Sequence, residues 1–151
     1  MGTLLAVCIS ESRTLPKKPV EKALFLQDTG IDGDSHSGIG TRQISLLRKE
    51  DIEEAEKESG FSFPPGALAE NIVVSGLPGE IEKGMLLKLG SEVVLEFIEK
   101  GKRPDEPHSY DYRGWCLLPT KGYFLRVRKG GYLSPPAKAE LENSCNLQDQ
   151  F

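Results

Sequence analysis

Cysteine is scarce in this chain, with three residues in 151, and Cys8, Cys116 and Cys145 are far apart with no CxxC pair among them. An odd, scattered set supports neither a disulfide scaffold nor a structural zinc site, so the three read as reduced thiols. No apolar run approaches the roughly 18 uncharged residues that a membrane-spanning helix needs. The stretch from Met1 to Phe25 also lacks the basic start, apolar centre and small-residue cleavage site of a signal peptide. The expected compartment is therefore the cytoplasm, with no membrane partner. Positive charge is outnumbered, 19 Lys and Arg against 23 Asp and Glu for a net −4, and the isoelectric point is near 5.3. A general nucleic-acid binder, which needs a basic surface for phosphate, is excluded on that ground. GxGxxG, GxxxxGK[ST], HExxH and GxSxG are all missing, so dinucleotide binding, P-loop chemistry, zincin proteolysis and α/β-hydrolase chemistry lack their usual signatures.

What is present reads as one domain over residues 1–151: 38% hydrophobic and 28% charged residues, punctuated by 16 Gly and 10 Pro. Short apolar or alternating runs at Leu4–Ile9, Ala23–Leu26, Arg42–Leu47, Ala69–Ser75, Met85–Leu89, Val93–Ile98 and Tyr123–Val127 predict about seven strands. Lys49–Ser59 is the one convincing helix: Ile52, Ala55 and Ser59 share a narrow face, acidic residues crowd its first turns, and Gly60 supplies the stop. Strands at this spacing with a single helix predict a mainly β sandwich or closed barrel, since a parallel α/β sheet requires a helix between successive strands. The stretch from residue 136 to the end reads as a short terminal helix or a frayed tail.

The charge is unevenly distributed. The segment Lys100–Gly130 holds eight basic and three acidic residues, +5 in a chain of −4, which leaves −9 elsewhere. Such an asymmetry focuses an anionic ligand or marks a solvated basic face. The Gly-rich loop Asp32-Gly33-Asp34-Ser35-His36 gathers carboxylates, a hydroxyl and an imidazole. If it is extended, Asp32, Asp34 and His36 point the same way, as in a metal or acid/base site; the alternative is that these side chains bond the local backbone. Glu70-Asn71 offers the same choice, with loop capping the plainer role. Cys116, in Arg113-Gly114-Trp115-Cys116-Leu117-Leu118-Pro119, is either a thiolate favoured by neighbouring cations or a small buried hydrophobe in a core strand.

Taken in order, the blocks Gly30 to His36, Arg42-Gln43-Ile44-Ser45-Leu46-Leu47, Ala69-Glu70-Asn71-Ile72, Gly84 with Leu86 to Gly90, Leu95-Glu96, Gly101-Lys102, and Cys116-Leu117-Leu118-Pro119 through Gly122, Phe124 and Arg126-Val127 to Gly130-Gly131 resemble the MOSC family. That family is named after the C-terminal domain of molybdenum cofactor sulfurases, and the match is to its short, stand-alone bacterial type. The resemblance implies a closed, mostly β barrel that binds molybdenum cofactor, an anionic pterin, with a cysteine that ligates the metal or carries sulfur. It implies that Cys116 is the catalytic and metal-ligating residue. By the same analogy Asp34, His36, Arg42, Gln43, Glu70 and Asn71 line or brace the barrel mouth, while Lys102, Arg103, Arg113 and Arg126 grip phosphate. The implied roles are carriage, delivery or sulfuration of the cofactor, with a molybdoenzyme as partner. The alternatives are a non-catalytic anion-binding barrel serving as sensor or storage module, and a small metal-dependent enzyme built on Asp32–His36. One departure stands out. Relatives follow the Gly-Lys pair with a Cys-His-x-x-Cys type stretch, whereas this chain has Pro104 and His108 at the cysteine places, and it ends the final turn with Ser134-Pro135-Pro136 instead of Gly-Asp.

Overall fold

The computed structural model describes residues 2–11, 16–35, 43–101, 115 and 117–143. The elements are β1 (Gly2–Ile9), β2 (Lys18–Pro19), β3 (Ala23–Leu26), β4 (Gly30–Ile31), β5 (Ile44–Arg48), α1 (Lys49–Ser59), β6 (Ile72–Ser75), β7 (Leu86–Leu89), β8 (Val93–Lys100), α2 (Leu118–Lys121), β9 (Tyr123–Lys129), β10 (Gly131–Leu133) and β11 (Ala137–Glu142). Seven of the strands form a closed barrel in the order β1-β6-β5-β9-β8-β7-β11, and β11 pairs back onto β1. Closure satisfies both edges of the sheet. β2 hangs on β1, and β10, β3 and β4 make a separate three-stranded sheet. No helix of the described residues is long and apolar enough to cross a membrane.

All neighbours in the barrel are antiparallel except β5 and β6, which run parallel with α1 as the connection. A parallel pair cannot be joined by a hairpin, which is why the one long helix among the described residues falls at this point. Alternation sorts the side chains. Leu4, Ile44, Leu46, Leu87, Leu95 and Leu125 fill the interior, where the Phe97 and Tyr123 rings meet edge-on at 5.4 Å. A second apolar layer lies on the outer wall: Ile52 and Ala55 of α1 pack with Phe63, Leu68, Leu117 and Leu118 over Ala6, Cys8 and Val73. A bulge in β1 between Leu4 and Ala6 lets Ala6 and Cys8 face that layer while Leu4 and Val7 face inward. The helix ends where Gly60 turns left-handed at φ 77° and returns its N–H to the Glu56 carbonyl.

The closed mainly β barrel of about seven strands agrees with the expectation, but its membership differs in two places. Ala23–Leu26 is a strand of the three-stranded sheet and not of the barrel wall. The stretch expected to be a terminal helix or frayed tail contains β11, which closes the barrel. Its sequence Ala-Lys-Ala-Glu-Leu-Glu is rich in helix formers, yet it alternates strictly, and Ala137, Ala139 and Leu141 all pack against the interior. Tertiary pairing on both sides overrides local propensity here. Ala139→Glu would place an unpaired charge where the side chain is fully buried between β1 and β7. Urea unfolding should show a loss of at least about 3 kcal/mol; an unchanged midpoint would mean that β11 does not line the barrel.

Candidate functional site at one end of the barrel

The buried polar residues among those described are Ser10, Lys17, Asp34, Gln43, Ser45, Glu70 and Asn71. They gather at the end where β1 finishes and β5 and β6 begin. Asn71 stitches three strands together. Its Oδ1 accepts the Ser45 N–H at 2.9 Å, its Nδ2 donates to the Cys8 carbonyl at 3.1 Å, and its own N–H reaches Ser45 Oγ at 3.0 Å. Only a side chain with both a donor and an acceptor can do this. Gln43 plays a similar part across β5 and β9, its Oε1 accepting the Val127 N–H.

Lys17 and Asp34 form an ion pair of 2.6 Å with side chains 1% and 0% exposed. Asp34 Oδ1 also accepts the Ser10 N–H at 3.1 Å, and Lys17 Nζ donates to Ser10 Oγ. Burial pushes the Lys17 amine below its ordinary range, while the bond to Asp34 works the other way. Glu70, 1% exposed, accepts the Gly66 N–H at Oε2 and the Leu68 N–H at Oε1. Desolvation raises its carboxyl to about 7, and the bonds from its own backbone N–H and from those of Gly66 and Leu68, with the Lys17 charge, only partly oppose the shift. The Cys8 thiol is pushed up to about 12, chiefly by burial and then by the Glu70 charge. A thiol so placed is neither nucleophile nor metal ligand at neutral pH.

These contacts bear on several expectations. The reading in which Asp32, Asp34 and His36 point the same way requires an extended loop, whereas residues 31–34 form a turn closed by Asp34 N–H on the Ile31 carbonyl, with Asp32 exposed and Asp34 buried on the Ser10 N–H, as the backbone-bonding alternative has it. Gly33 at φ 87° makes that turn possible. Arg126 faces the outer wall, where its Nε and Arg128 Nη1 share Glu96 Oε1 at 3.0 and 2.8 Å, and does not reach into the barrel. Asp34, Gln43, Glu70 and Asn71 are engaged with the chain's own groups. The two carboxylates, which are acceptors, do not fit the phosphate of an anionic pterin. His36, Arg42, Lys102, Arg103, Arg113 and Cys116 lie outside the described residues. Lys17 was missed by the sequence reading, because nothing in Lys17-Lys18-Pro19 separates the buried lysine from the exposed one beside it.

The chain is similar to the YuaD protein of Bacillus subtilis, with a TM-score of 0.73 at 21% identity over 93% of this chain and 96% of that one. It is also similar to YiiM from Geobacillus stearothermophilus, at 0.67 and 17% over 95% and 76% of the two chains, and to YiiM from Escherichia coli, at 0.68 and 18% over 95% and 70%. The fold is MOSC-like. No family model and no curated protein matches the sequence.

Two measurements test the brace. Lys17→Met takes the 2.6 Å ion-pair partner from a buried Asp34 and should cost about 3–5 kcal/mol in urea unfolding. Adding Asp34→Asn, which removes the charge but keeps an acceptor for Ser10, should restore part of that; a double variant no more stable than Lys17→Met alone would contradict the pairing. For Glu70 the folded-state value lies above the ordinary 4.5, so its contribution is full below that value and is lost as pH rises through about 7. Between those limits wild-type stability should fall by about 3 kcal/mol relative to Glu70→Gln. Parallel pH profiles for the two proteins would sink this assignment.

Proposed function

We propose that this chain binds molybdenum cofactor and carries, delivers or sulfurates it. The observation that carries the reading is the MOSC-like barrel, on which the resembling motif blocks fall in family order. The structure bears on which thiol could take part. Cys8 is fully buried in the apolar layer under α1, with its thiol near 12, and the resemblance assigns the role to Cys116, the cysteine that lies within a matching block. The grip on phosphate falls to Lys102, Arg103 and Arg113, because Arg126 is engaged with Glu96. Guanidinium and ammonium groups suit that end of the ligand, since bidentate, charge-assisted bonds match phosphate oxygens. When bound, the cofactor would supply the molybdenum and its dithiolene; the chain would supply a thiolate and the positive field. Under the second reading, a cofactor-holding barrel without sulfur chemistry, Cys116 only packs.

The test compares wild type with Cys116→Ala, both purified from a cofactor-producing host, for pterin and molybdenum content, and then titrates each with cofactor in vitro. Pterin and molybdenum in wild type, with molybdenum lost from the variant, is the expected result. Equal pterin and molybdenum in both proteins selects the non-catalytic carrier. Pterin in neither, including after titration, overturns the cofactor reading. If Cys116 is a packed core residue, the variant should also lose about 1 kcal/mol or more of stability.

A further inference from the structure

We propose that Glu70 is a proton-operated clamp on the Gly66–Leu68 turn, and that through Gly66 it sets the seat of the Lys17–Asp34 pair. The inference concerns this chain's own residues and stands without any ligand. Its starting point is a carboxylate that is 1% exposed and forms no ion pair among the described residues. Its two oxygens are each committed to a backbone donor, Oε2 to Gly66 at 3.0 Å and Oε1 to Leu68 at 3.1 Å. A carboxylate satisfies both donors. A neutral carboxyl has one carbonyl oxygen and one hydroxyl, and the hydroxyl oxygen is the poorer acceptor, so one of the two bonds must weaken when a proton arrives.

The turn has no slack through which such a change could be lost. Gly66 sits at φ +88°, and a Cβ there would lie 2.0 Å from the Lys17 carbonyl oxygen. Its own carbonyl accepts the Lys17 N–H at 3.0 Å. Lys17 in turn places its ammonium on Asp34, which holds the Ser10 N–H. The titratable groups facing Glu70 are Lys17, from the segment entering β2, and Cys8, on β1, with Asp34 on the far side of Lys17. Cys8, pushed up to about 12, remains a thiol, and Glu70, with its carboxyl at about 7, is the member placed to exchange a proton near neutrality. Protonation of Glu70 then removes one negative charge from the buried trio of Lys17, Asp34 and Glu70.

The test is an NMR titration of the folded full-length chain from pH 5.5 to 8.5, following the Glu70 side-chain carboxyl carbon and the amides of Gly66, Leu68, Lys17 and Ser10. The clamp predicts one common midpoint near 7 for the carbon and all four amides, and flat amide traces in Glu70→Gln. A Glu70 carbon that titrates in the ordinary carboxylate range, or not at all, overturns the proposal in wild type alone, whether or not the variant folds. Amide titrations that persist in Glu70→Gln would belong to another group, such as His36 or His108, and overturn it equally. Gly66 and Leu68 moving while Lys17 and Ser10 stay still would overturn the transmission to the ion pair.

Discussion

The buried pair of Lys17 and Asp34 is the contact on which this end of the molecule depends. It joins three pieces of chain that share no strand: the segment entering β2, the turn after β4, and the end of β1, whose Ser10 N–H also bonds Asp34. Two charges in an apolar surrounding are worth little against a well-packed apolar pair, but either one alone is severely penalised. Any arrangement in which the turn, the strand end and the lysine fail to meet is therefore disfavoured. The pair acts more as a constraint on arrangement than as a source of stability, and the Asn71 bonds to Ser45 and Cys8 extend that constraint to the starts of β5 and β6.

The closed barrel determines where chemistry could be placed. Its interior is packed with Leu, Ile, Val and aromatic side chains, and a small barrel filled in this way holds side chains instead of ligand. The outer wall under α1 is equally dry, which is why a cysteine there is inert. The places left for polar function are the ends of the barrel and the loops that cross them. At the described end the polar side chains serve the backbone first. Glu70 holds a turn, Asn71 joins strands, and Gln43 reaches Val127. Residues that resemble a family's mouth motif thus have structural work that accounts for their presence.

The strands that the sequence shows clearly are those whose alternation is apolar: β1, β7, β8 and β9 match the runs read from it. β11 was hidden because its outward residues, Lys138, Glu140 and Glu142, and its small inward alanines give the composition of a helix; only pairing to β1 and β7 reveals it. β6 starts at Ile72 instead of Ala69 because Ala69 is held at φ 68°, where no strand can run, next to the turn that Glu70 clamps. The candidate site was legible in part. Asp34, Gln43, Glu70 and Asn71 could be picked out as polar residues in apolar company, and the loop-capping alternative for Glu70 describes the bonds it makes. Lys17 could not be found, since a buried lysine is recognised by its partner, and that partner is 17 positions away across a turn.

The acidic balance of the whole chain does not weigh against an anionic ligand, once the charges are placed. Asp34 is neutralised by Lys17 at contact distance, and Glu70 lies close to half-protonated near neutral pH. Much of the remaining negative charge belongs to α1, whose Glu50, Asp51, Glu53, Glu54, Glu56 and Glu58 sit on a helix packed against the outer wall. Exposed charges are screened beyond about 8 Å at physiological salt, so those carboxylates act on their own side of the barrel. The segment between Lys100 and Gly130 carries a surplus of +5 in the sequence, and two of its arginines, Arg126 and Arg128, already share Glu96. Any attraction for an anion would therefore follow the placement of charge and not its sum over the chain.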